Sequence, residues 1–208
     1  MPSQPPVMSF FTLSRRKPAE QVIPGEGVYL RPAMNRDFEC WRDLRADSRA
    51  FLKPWEPRWP ADDLSRAGFR RRLLRQDRDR QDDQAYSFLL FREQDHALLG
   101  GLTLGNIRRG VAQCATLGYW MGEAFAGQGY MSKGVHAALR HAFTDLRLHR
   151  VEAACAPHNE RSRRLLERLG FQHEGFARAY LLIDSAWQDH LLFGLLESDF
   201  LGSAPPDR

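Results

Sequence analysis

The stretch that decides the fold of this 208-residue chain is Gly118-Tyr-Trp-Met-Gly-Glu-Ala-Phe-Ala-Gly-Gln-Gly-Tyr-Met-Ser-Lys133. Its pattern predicts a strand, a loop that contains Gly127 and Gly129, and a helix that begins at Tyr130. Glycine lacks a Cβ, so the loop can turn tightly and a ligand can approach its peptide N–H groups. Unpaired N–H groups at a helix N-terminus favour an anion. The stretch therefore predicts a phosphate-binding loop, with an ordinary glycine turn as the alternative.

The composition is that of one globular domain. Hydrophobic residues make up 43% of the chain, enough to form a full core. The formal net charge is +4, and all but three of the 30 basic residues are arginines. Seven arginines lie within residues 66–80, where acidic residues follow them closely. We expect this segment to be a solvent-exposed charged helix, and we expect no direct binding of nucleic acid.

The cysteines and histidines form no disulfide or metal-binding pattern. Cys40, Cys114 and Cys155 lie far apart, which indicates free thiols in a reducing compartment. No histidine pair lies at ligand spacing near a cysteine, so we expect no metal. No apolar run reaches the roughly 18 residues that a membrane helix needs. We therefore expect a cytoplasmic protein with no membrane contact.

The chain divides into a domain between two tails. Residues 1–24, rich in proline, serine and basic side chains, are predicted to be a flexible N-terminal tail, and residues 201–208 a C-terminal tail. Residues 25–200 show strand and helix patterns in the order β-α-α-β-β-β-α-β-α-β-β. Asn35 is expected to cap the first helix and Asp62 or Asp63 the second. This order predicts a mixed α/β domain.

Two motifs lie about 30 residues apart, separated by a predicted helix and a strand. The first is Ala126-Gly-Gln-Gly129-Tyr-Met131, and the second is Asn159-x-x-Ser162-x-x-Leu165-Leu166-x-x-x-Gly170-Phe171. Together they resemble the GNAT superfamily of acyl-CoA-dependent N-acetyltransferases over roughly residues 26–197, although Ala126 and Met131 depart from its glycine signature. The resemblance implies a GNAT-like sheet of about seven mostly antiparallel strands flanked by about four helices. A V-shaped split would separate the fourth strand from the fifth.

Further segments are similar to the ribosomal-protein-alanine N-acetyltransferases of the RimJ and RimL type. They are Phe51-Leu-Lys-Pro-Trp-Glu-Pro-Arg-Trp59, Gly100-Gly-Leu-Thr-Leu104, Gly118-Tyr-Trp120 and Leu148-His-Arg-Val-Glu-Ala153. In that group the first-helix loop and the final strands form the walls of the acceptor site. The implied acceptor-binding residues are Trp55, Trp59, Tyr180 and Trp187. Residues 51–59, which we call the proline-rich loop, contain two of these tryptophans, and their alternative role is to pack this loop onto the core.

The resemblance also implies how acetyl-CoA is held. Its pyrophosphate would lie on the glycine loop and its pantetheine arm along the end of the fourth strand, where one N–H group would polarise the thioester carbonyl. The implied cofactor-binding residues are Tyr119, Trp120, Met121, Gly127, Gln128, Gly129, Tyr130, Met131, Ser132 and Asn159. For Asn159, a helix N-cap is the alternative role.

The general base must be sought by position. Related alanine acetyltransferases of the RimI type use a Glu and a Tyr where this chain has Ala154 and Leu166. Glu152 lies two residues before Ala154 and projects to the same face of the strand, which makes it the first candidate base. Pairing with an arginine such as Arg150 or Arg178 is its alternative role. Glu123, beside the glycine loop, is the second candidate.

The candidate acid is Ser162, one helical turn beyond Asn159, which could hydrogen-bond the departing sulfur or merely cap the helix. We expect direct attack by a neutral amine in a ternary complex with acetyl-CoA. The acceptor would be the N-terminal α-amine of a protein, with a ribosomal protein first, and the enzyme a monomer or homodimer. The alternatives are a small amine (polyamine, amino sugar or antibiotic) and a non-catalytic acyl-CoA-binding sensor.

Overall fold

The computed structural model describes residues 22–202 of the chain. Within these residues, eight strands form one sheet in the order β1-β2-β3-β4-β5-β6-β8-β7. The strands are β1 (Ile23–Pro24), β2 (Val28–Arg31), β3 (Tyr86–Arg92), β4 (Leu98–Arg108), β5 (Cys114–Met121), β6 (Arg150–Cys155), β7 (Gln172–Ile183) and β8 (Ala186–Leu196). The mixed α/β fold predicted from the element order is confirmed.

One junction of the sheet differs from all the others. Strands β5 and β6 pair in parallel, whereas every other neighbouring pair is antiparallel. The parallel pairing runs only from Cys114↔Arg150 to Leu117↔Ala153. Beyond it, β5 continues to Met121 beside β4, and β6 continues to Cys155 beside β8. The two strands therefore diverge, and the predicted split between these two strands is confirmed.

Helices cover both faces of the sheet. The helices are α1 (Phe38–Asp47), α2 (Arg49–Leu52), α3 (Arg66–Gln81), α4 (Tyr130–Thr144), α5 (Glu160–Arg168) and α6 (Glu197–Gly202). Alternate residues of β3 face opposite sides, as a strand requires. Phe88 and Leu90 join the larger core, which includes the buried residues of α4 and α5, whereas Leu89 and Phe91 pack with α1 and α3. The split lies between these two layers.

The sheet begins earlier than the sequence predicted. Strand β1 falls inside the segment assigned to the N-terminal tail, where Ile23 pairs with Leu30 and is buried. It raises the strand count from the predicted seven to eight. The Arg140 side chain of α4 donates to the carbonyl of Pro24, which fixes this strand to the core. Residues 201–202 of the predicted C-terminal tail belong to α6, and the rest of the predicted tails, residues 1–21 and 203–208, lies outside the described residues.

Helices α1 and α3, which correspond to the first two helices predicted from the sequence, begin with other caps than those predicted. A 3-10 turn, Asn35–Asp37, precedes α1, and the Asp37 carboxylate accepts from the backbone N–H of Met34 at 2.7 Å. Ser65 caps α3, because its Oγ accepts from the N–H of Gly68 at 2.9 Å. Asp62 and Asp63 instead bind Arg71 and Arg72, both in the second turn of the helix. The expected caps Asn35, Asp62 and Asp63 were therefore wrong.

Candidate active site

The glycine loop has the predicted geometry. The backbone of Gly127 has φ 79° and that of Gly129 has φ 82°, the left-handed region that favours glycine. A Cβ built on either residue would meet no atom of residues 22–202 within 4 Å, so this part of the chain leaves the space above the loop open. Helix α4 begins at Tyr130, with Gly129 as its N-cap residue. The loop thus presents bare backbone at a helix N-terminus.

The backbone donors of this loop are available for a ligand. Within residues 22–202, the N–H groups of residues 127–132 donate to no protein acceptor. The first hydrogen bond of the helix is Lys133 N–H to the carbonyl of Gly129 at 3.3 Å. Six successive unpaired donors at the positive end of a helix dipole suit a doubly charged pyrophosphate. Two cations lie nearby, and each also contacts a carboxylate. Arg92 Nη1 lies 3.4 Å from the Tyr130 hydroxyl while its guanidinium binds Asp95, and Lys133 Nζ lies 3.5 Å from Glu26. The loop therefore fits the phosphates of acetyl-CoA.

The end of β5 forms one wall of the split. Tyr119, Trp120 and Met121 pair with β4 and lie beyond the last rung shared with β6. The edge that faces β6 is therefore open to a peptide-like ligand. A Cβ on Gly101 would lie 2.6 Å from Trp120 Nε1, so the glycine makes room for this indole.

Two hydroxyl groups bridge the split. Tyr119 lies on the same face of β5 as Ala115 and Leu117, and its hydroxyl lies 2.5 Å from Ser162 Oγ in the first turn of α5. Burial raises the pKa of the Tyr119 hydroxyl well above its ordinary value of 10.0, against a smaller lowering by Ser162. The buried Cys155 thiol also lies beside Ser162, and burial raises its pKa. Tyr119 therefore keeps its proton over the whole range in which an amine acceptor reacts.

Asn159 has the capping role that was its alternative. Its Oδ1 accepts from the Ser162 N–H at 3.1 Å, so it fixes the start of α5. This bond leaves the amide N–H₂ end free for another partner. The predicted contact of Asn159 with the cofactor arm stays a prediction, and the cap fixes the residue in the connection between β6 and α5.

The two candidate bases differ in their surroundings. Glu152 shares the face of β6 with Ala154, but it lies opposite Thr116 in the closed part of the β5–β6 junction. Its carboxylate binds Arg108 Nη2 at 2.6 Å and Arg150 Nε at 3.2 Å. Its alternative role, pairing with arginine, is therefore the one observed. Glu123 is exposed in the 3-10 turn after β5, and its carboxylate has no partner within residues 22–202.

The tryptophans of the proline-rich loop contact both sides of the split. Trp55 packs on His158, which precedes Asn159, with ring centroids 5.2 Å apart. Trp59 donates from Nε1 to Glu56 at 2.7 Å. The Arg45 guanidinium lies 4.1 Å from the Trp59 ring centroid and 4.9 Å from that of Trp120. The loop thus links β5 to the β6–α5 connection.

The predicted residues of the last two strands lie farther out. Tyr180 is 47% exposed and Trp187 is 65% exposed on the β7–β8 hairpin, and the tip of this hairpin meets the loop. The Asp184 N–H donates to the carbonyl of Glu56 at 3.1 Å. Between loop and hairpin tip lies a cavity of about 890 Å³, which we call the loop cavity. Trp59 lines it, whereas Trp55, Tyr180 and Trp187 do not.

Sequence reasoning missed three side chains of this region. Tyr119 was predicted only for its backbone, although its alternation with Ala115 and Leu117 indicates a buried hydroxyl in need of a partner. Arg45 is buried between two indoles, and its guanidinium binds Glu56 at 2.7 and 2.8 Å. A charged residue on the apolar face of α1 was the signal for it. No sequence signal indicated His158.

Comparison with known families identifies this site. The profile described as Acetyltransferase (GNAT) domain matches residues 28–172, most of the chain. The chain belongs to the GNAT acetyltransferase family. The predicted fold, the N-acetyltransferase class and acetyl-CoA as the acetyl donor are thereby confirmed. Within residues 22–202 of this GNAT protein no helix is suited to span a membrane, and no group of three or more His, Cys, Asp or Glu side chains could hold a metal ion.

Relatives of this GNAT chain include enzymes that modify ribosomal proteins. It is 37% identical over 166 residues to the [Ribosomal protein uS5]-alanine N-acetyltransferase of Escherichia coli, a match covering 79% of the chain and 86% of that enzyme. The ribosomal-protein-S5-alanine acetyltransferase of Vibrio fischeri superposes with TM-score 0.80 at 29% identity, covering 87% of the chain and 99% of the other. Mycobacterium smegmatis RimJ, in complex with CoA-disulfide, gives 0.78 at 30% identity, covering 85% and 86%.

Proposed function

We propose that this GNAT acetyltransferase transfers the acetyl group of acetyl-CoA to the N-terminal α-amine of a ribosomal protein. The observation that carries the proposal is the 37% identity to a uS5-alanine N-acetyltransferase over 86% of that enzyme. The proline-rich loop with Trp55 and Trp59 also supports the proposal, because it is similar to a segment that forms a wall of the acceptor site in the RimJ and RimL group. A cytoplasmic location belongs to the same proposal.

The reaction needs little proton transfer before attack. The neutral amine nitrogen attacks the acetyl carbonyl carbon, the C–N amide bond forms, and the C–S bond breaks with its electron pair on sulfur. The nitrogen loses one proton and the CoA sulfur gains one. An α-amine with a pKa of about 8 is roughly one-tenth neutral at pH 7, whereas a lysine amine near 10.4 is almost wholly protonated. An N-terminal α-amine therefore depends less on deprotonation by a general base than a lysine side chain does.

The chain supplies three sets of groups for this reaction. The N–H groups of residues 127–132 hold the phosphates of acetyl-CoA, and the open edge of β5 aligns the pantetheine arm. A strand N–H in this edge polarises the thioester carbonyl as charge develops on its oxygen. The Tyr119 hydroxyl lies 2.5 Å from Ser162 Oγ, and either oxygen can donate; when Tyr119 donates, the hydrogen of Ser162 is free to turn towards the departing sulfur.

For the proton of the amine, Glu123 is the better candidate of the two carboxylates. Both oxygens of Glu152 are bound by arginine N–H groups in the closed part of the sheet, so this residue is not free to accept a proton. The Glu123 carboxylate is exposed and unpaired within residues 22–202, at the turn that leads from β5 into the glycine loop. It accepts the proton directly or through one water.

An acceptor screen tests the proposal. Purified protein and acetyl-CoA would be offered peptides that begin with alanine, the same peptides with a blocked N-terminus and an internal lysine, and small amines such as spermidine and glucosamine. We expect released thiol, and a product 42 Da heavier by mass spectrometry (about one acetyl group in place of a hydrogen), mainly with free N-termini, because of the amine pKa values.

Turnover confined to small amines or blocked peptides would contradict the proposed acceptor. Saturable acetyl-CoA binding without turnover on any acceptor would favour the sensor.

A further inference from the structure

The loop cavity lies between the proline-rich loop and the tip of the β7–β8 hairpin. Its volume is about 890 Å³, and it is open to solvent. Its polar and charged lining consists of Arg49, Lys53, Glu56, Arg58, Trp59 and Asp184, together with Ser185. Prolines and an alanine complete the wall. The cavity therefore combines apolar surface with five charged side chains.

The two carboxylates of the cavity are already matched by cations. Glu56 accepts two hydrogen bonds from Arg45 and one from Trp59 Nε1. Asp184 lies 3.5 Å from Lys53 Nζ. Arg49 and Arg58 remain, and within residues 22–202 neither guanidinium has a carboxylate partner. The Arg49 guanidinium lies 5.4 Å from the centroid of the Trp59 ring. The cavity thus has two unmatched positive charges.

Side chains of the cavity wall and of its loop also contact the residues around the split. Arg45 lies between Trp59 of the cavity and Trp120 on β5. Trp55, in the same loop, contacts His158 in the connection between β6 and α5. An acceptor whose amine lies in the split on this side of the sheet would therefore extend past the loop towards Arg49 and Arg58.

We propose, on the basis of the proposed function, that the loop cavity binds an acidic side chain close behind the N-terminal amine of the acceptor. The preferred substrates are protein N-termini with Asp or Glu among the residues that directly follow the first. A guanidinium binds a carboxylate in a bidentate manner, and two of them suit one or two such groups. A nucleic acid fits less well, because only two guanidinium groups of the cavity are unmatched within the described part of the chain, and prolines and an alanine form part of its wall. The apolar wall suits a peptide.

Peptide pairs test this preference. Alanine-initiated peptides would carry Asp, Asn or Lys at each of the second to fifth positions in turn. We expect kcat/KM for the best Asp peptide to exceed that of its Asn counterpart by about three- to tenfold, the range of one or two exposed ion pairs, mainly through KM. The ratio should fall with added salt, because exposed charges are screened.

Charge reversal gives the decisive variant. In Arg49→Glu/Arg58→Glu the preference should invert, so that the Lys peptide becomes better than the Asp peptide. Arg70→Glu is the matched control, because Arg70 is exposed on α3 and does not line the cavity. The control should keep the wild-type ratio. Equal thermal unfolding and equal acetyl-CoA binding show that the variants are folded, and Arg49→Lys/Arg58→Lys should retain most of the preference.

The outcomes distinguish a failure of the proposed acid preference from a failure of the proposed acetyltransferase function. Turnover of free N-termini without any acid preference, or a ratio unchanged by charge reversal, overturns the inference and leaves the proposed function standing. If no peptide is acetylated, the proposed function fails. Calorimetric titration of N-acetylated Asp and Lys peptides onto the protein with CoA then decides the inference. Tighter binding of the Asp peptide supports it, and equal binding overturns it.

Discussion

The hydroxyl pair across the split leads to the sharpest prediction. Tyr119→Phe removes one oxygen from a partly buried position and leaves Ser162 without the partner that lies 2.5 Å away. The ring itself, which packs on the larger core, is retained. The variant therefore changes the orientation of Ser162 with little change in packing.

Two magnitudes follow from this geometry. A net hydrogen bond contributes about 1 kcal/mol, so the free energy of unfolding should fall by about that amount. If Tyr119 holds Ser162 towards the departing sulfur, its loss should reduce kcat by about tenfold, or about 1.4 kcal/mol of barrier, with KM for acetyl-CoA nearly unchanged. Ser162→Ala should lower kcat further. Tyr119→Phe in the Ser162→Ala background should then have little additional effect, because the two residues act as a unit.

The assay is thiol release under saturating acetyl-CoA, together with urea unfolding. Tyr86→Phe is a matched control, since its hydroxyl donates to Asp83 at 2.9 Å on β3, away from the split. It should lose similar stability and keep its kcat. A Tyr119→Phe enzyme with wild-type kcat, or additive losses in the double variant, would refute the role of the pair.

Three further predictions concern the loop, the carboxylates and acid stability. Gly129→Glu should abolish saturable acetyl-CoA binding, whereas Gly110→Glu, with φ 67° and equally open space, should keep it; loss in both variants would point to backbone strain alone. Glu123→Gln should lower kcat/KM below pH 7 more than Glu152→Gln, and the reverse order would restore Glu152 as the base. Arg92 lowers the pKa of Asp95 from 3.8 to about 2, so this pair stabilises the fold above about pH 4 and less as the pH falls towards 2. Asp95→Asn should therefore reduce the dependence on pH of the free energy of unfolding, measured with urea, between about pH 4 and pH 2, and Glu93→Gln in the same turn should not.

The elements around the glycine loop were predicted well from sequence. The strand before the loop, the two glycines and the first residue of α4, Tyr130, coincide with the prediction. These boundaries are set locally, by a glycine that ends an element or by alternation along a strand. Strand β1 could not be found in this way, because two residues show no alternation and only their pairing with β2 defines them.

Long-range partners explain the remaining errors. Alternation correctly placed Glu152 on the face of Ala154, but its arginine Arg108 comes from β4. The ladder Arg108↔Cys114↔Arg150 brings that residue beside it. In the same way Asp62 and Asp63 are good caps by type, yet Arg71 and Arg72 bind them and leave Ser65 as the cap. The Tyr119–Ser162 contact joins residues 43 positions apart, beyond the reach of any local pattern.

The junction of β5 and β6 makes the sheet a pair of half-sheets joined by four rungs. Amide hydrogen exchange should show this division directly. Amides within rungs 114–117 should exchange slowly, whereas the gap-facing amides of residues 118–121 should exchange quickly in the free protein. Acetyl-CoA should slow them by lying where the missing strand would be, and its binding to the folded state alone would raise the melting temperature. The donor substrate would then be, for as long as it stays bound, a structural part of the sheet.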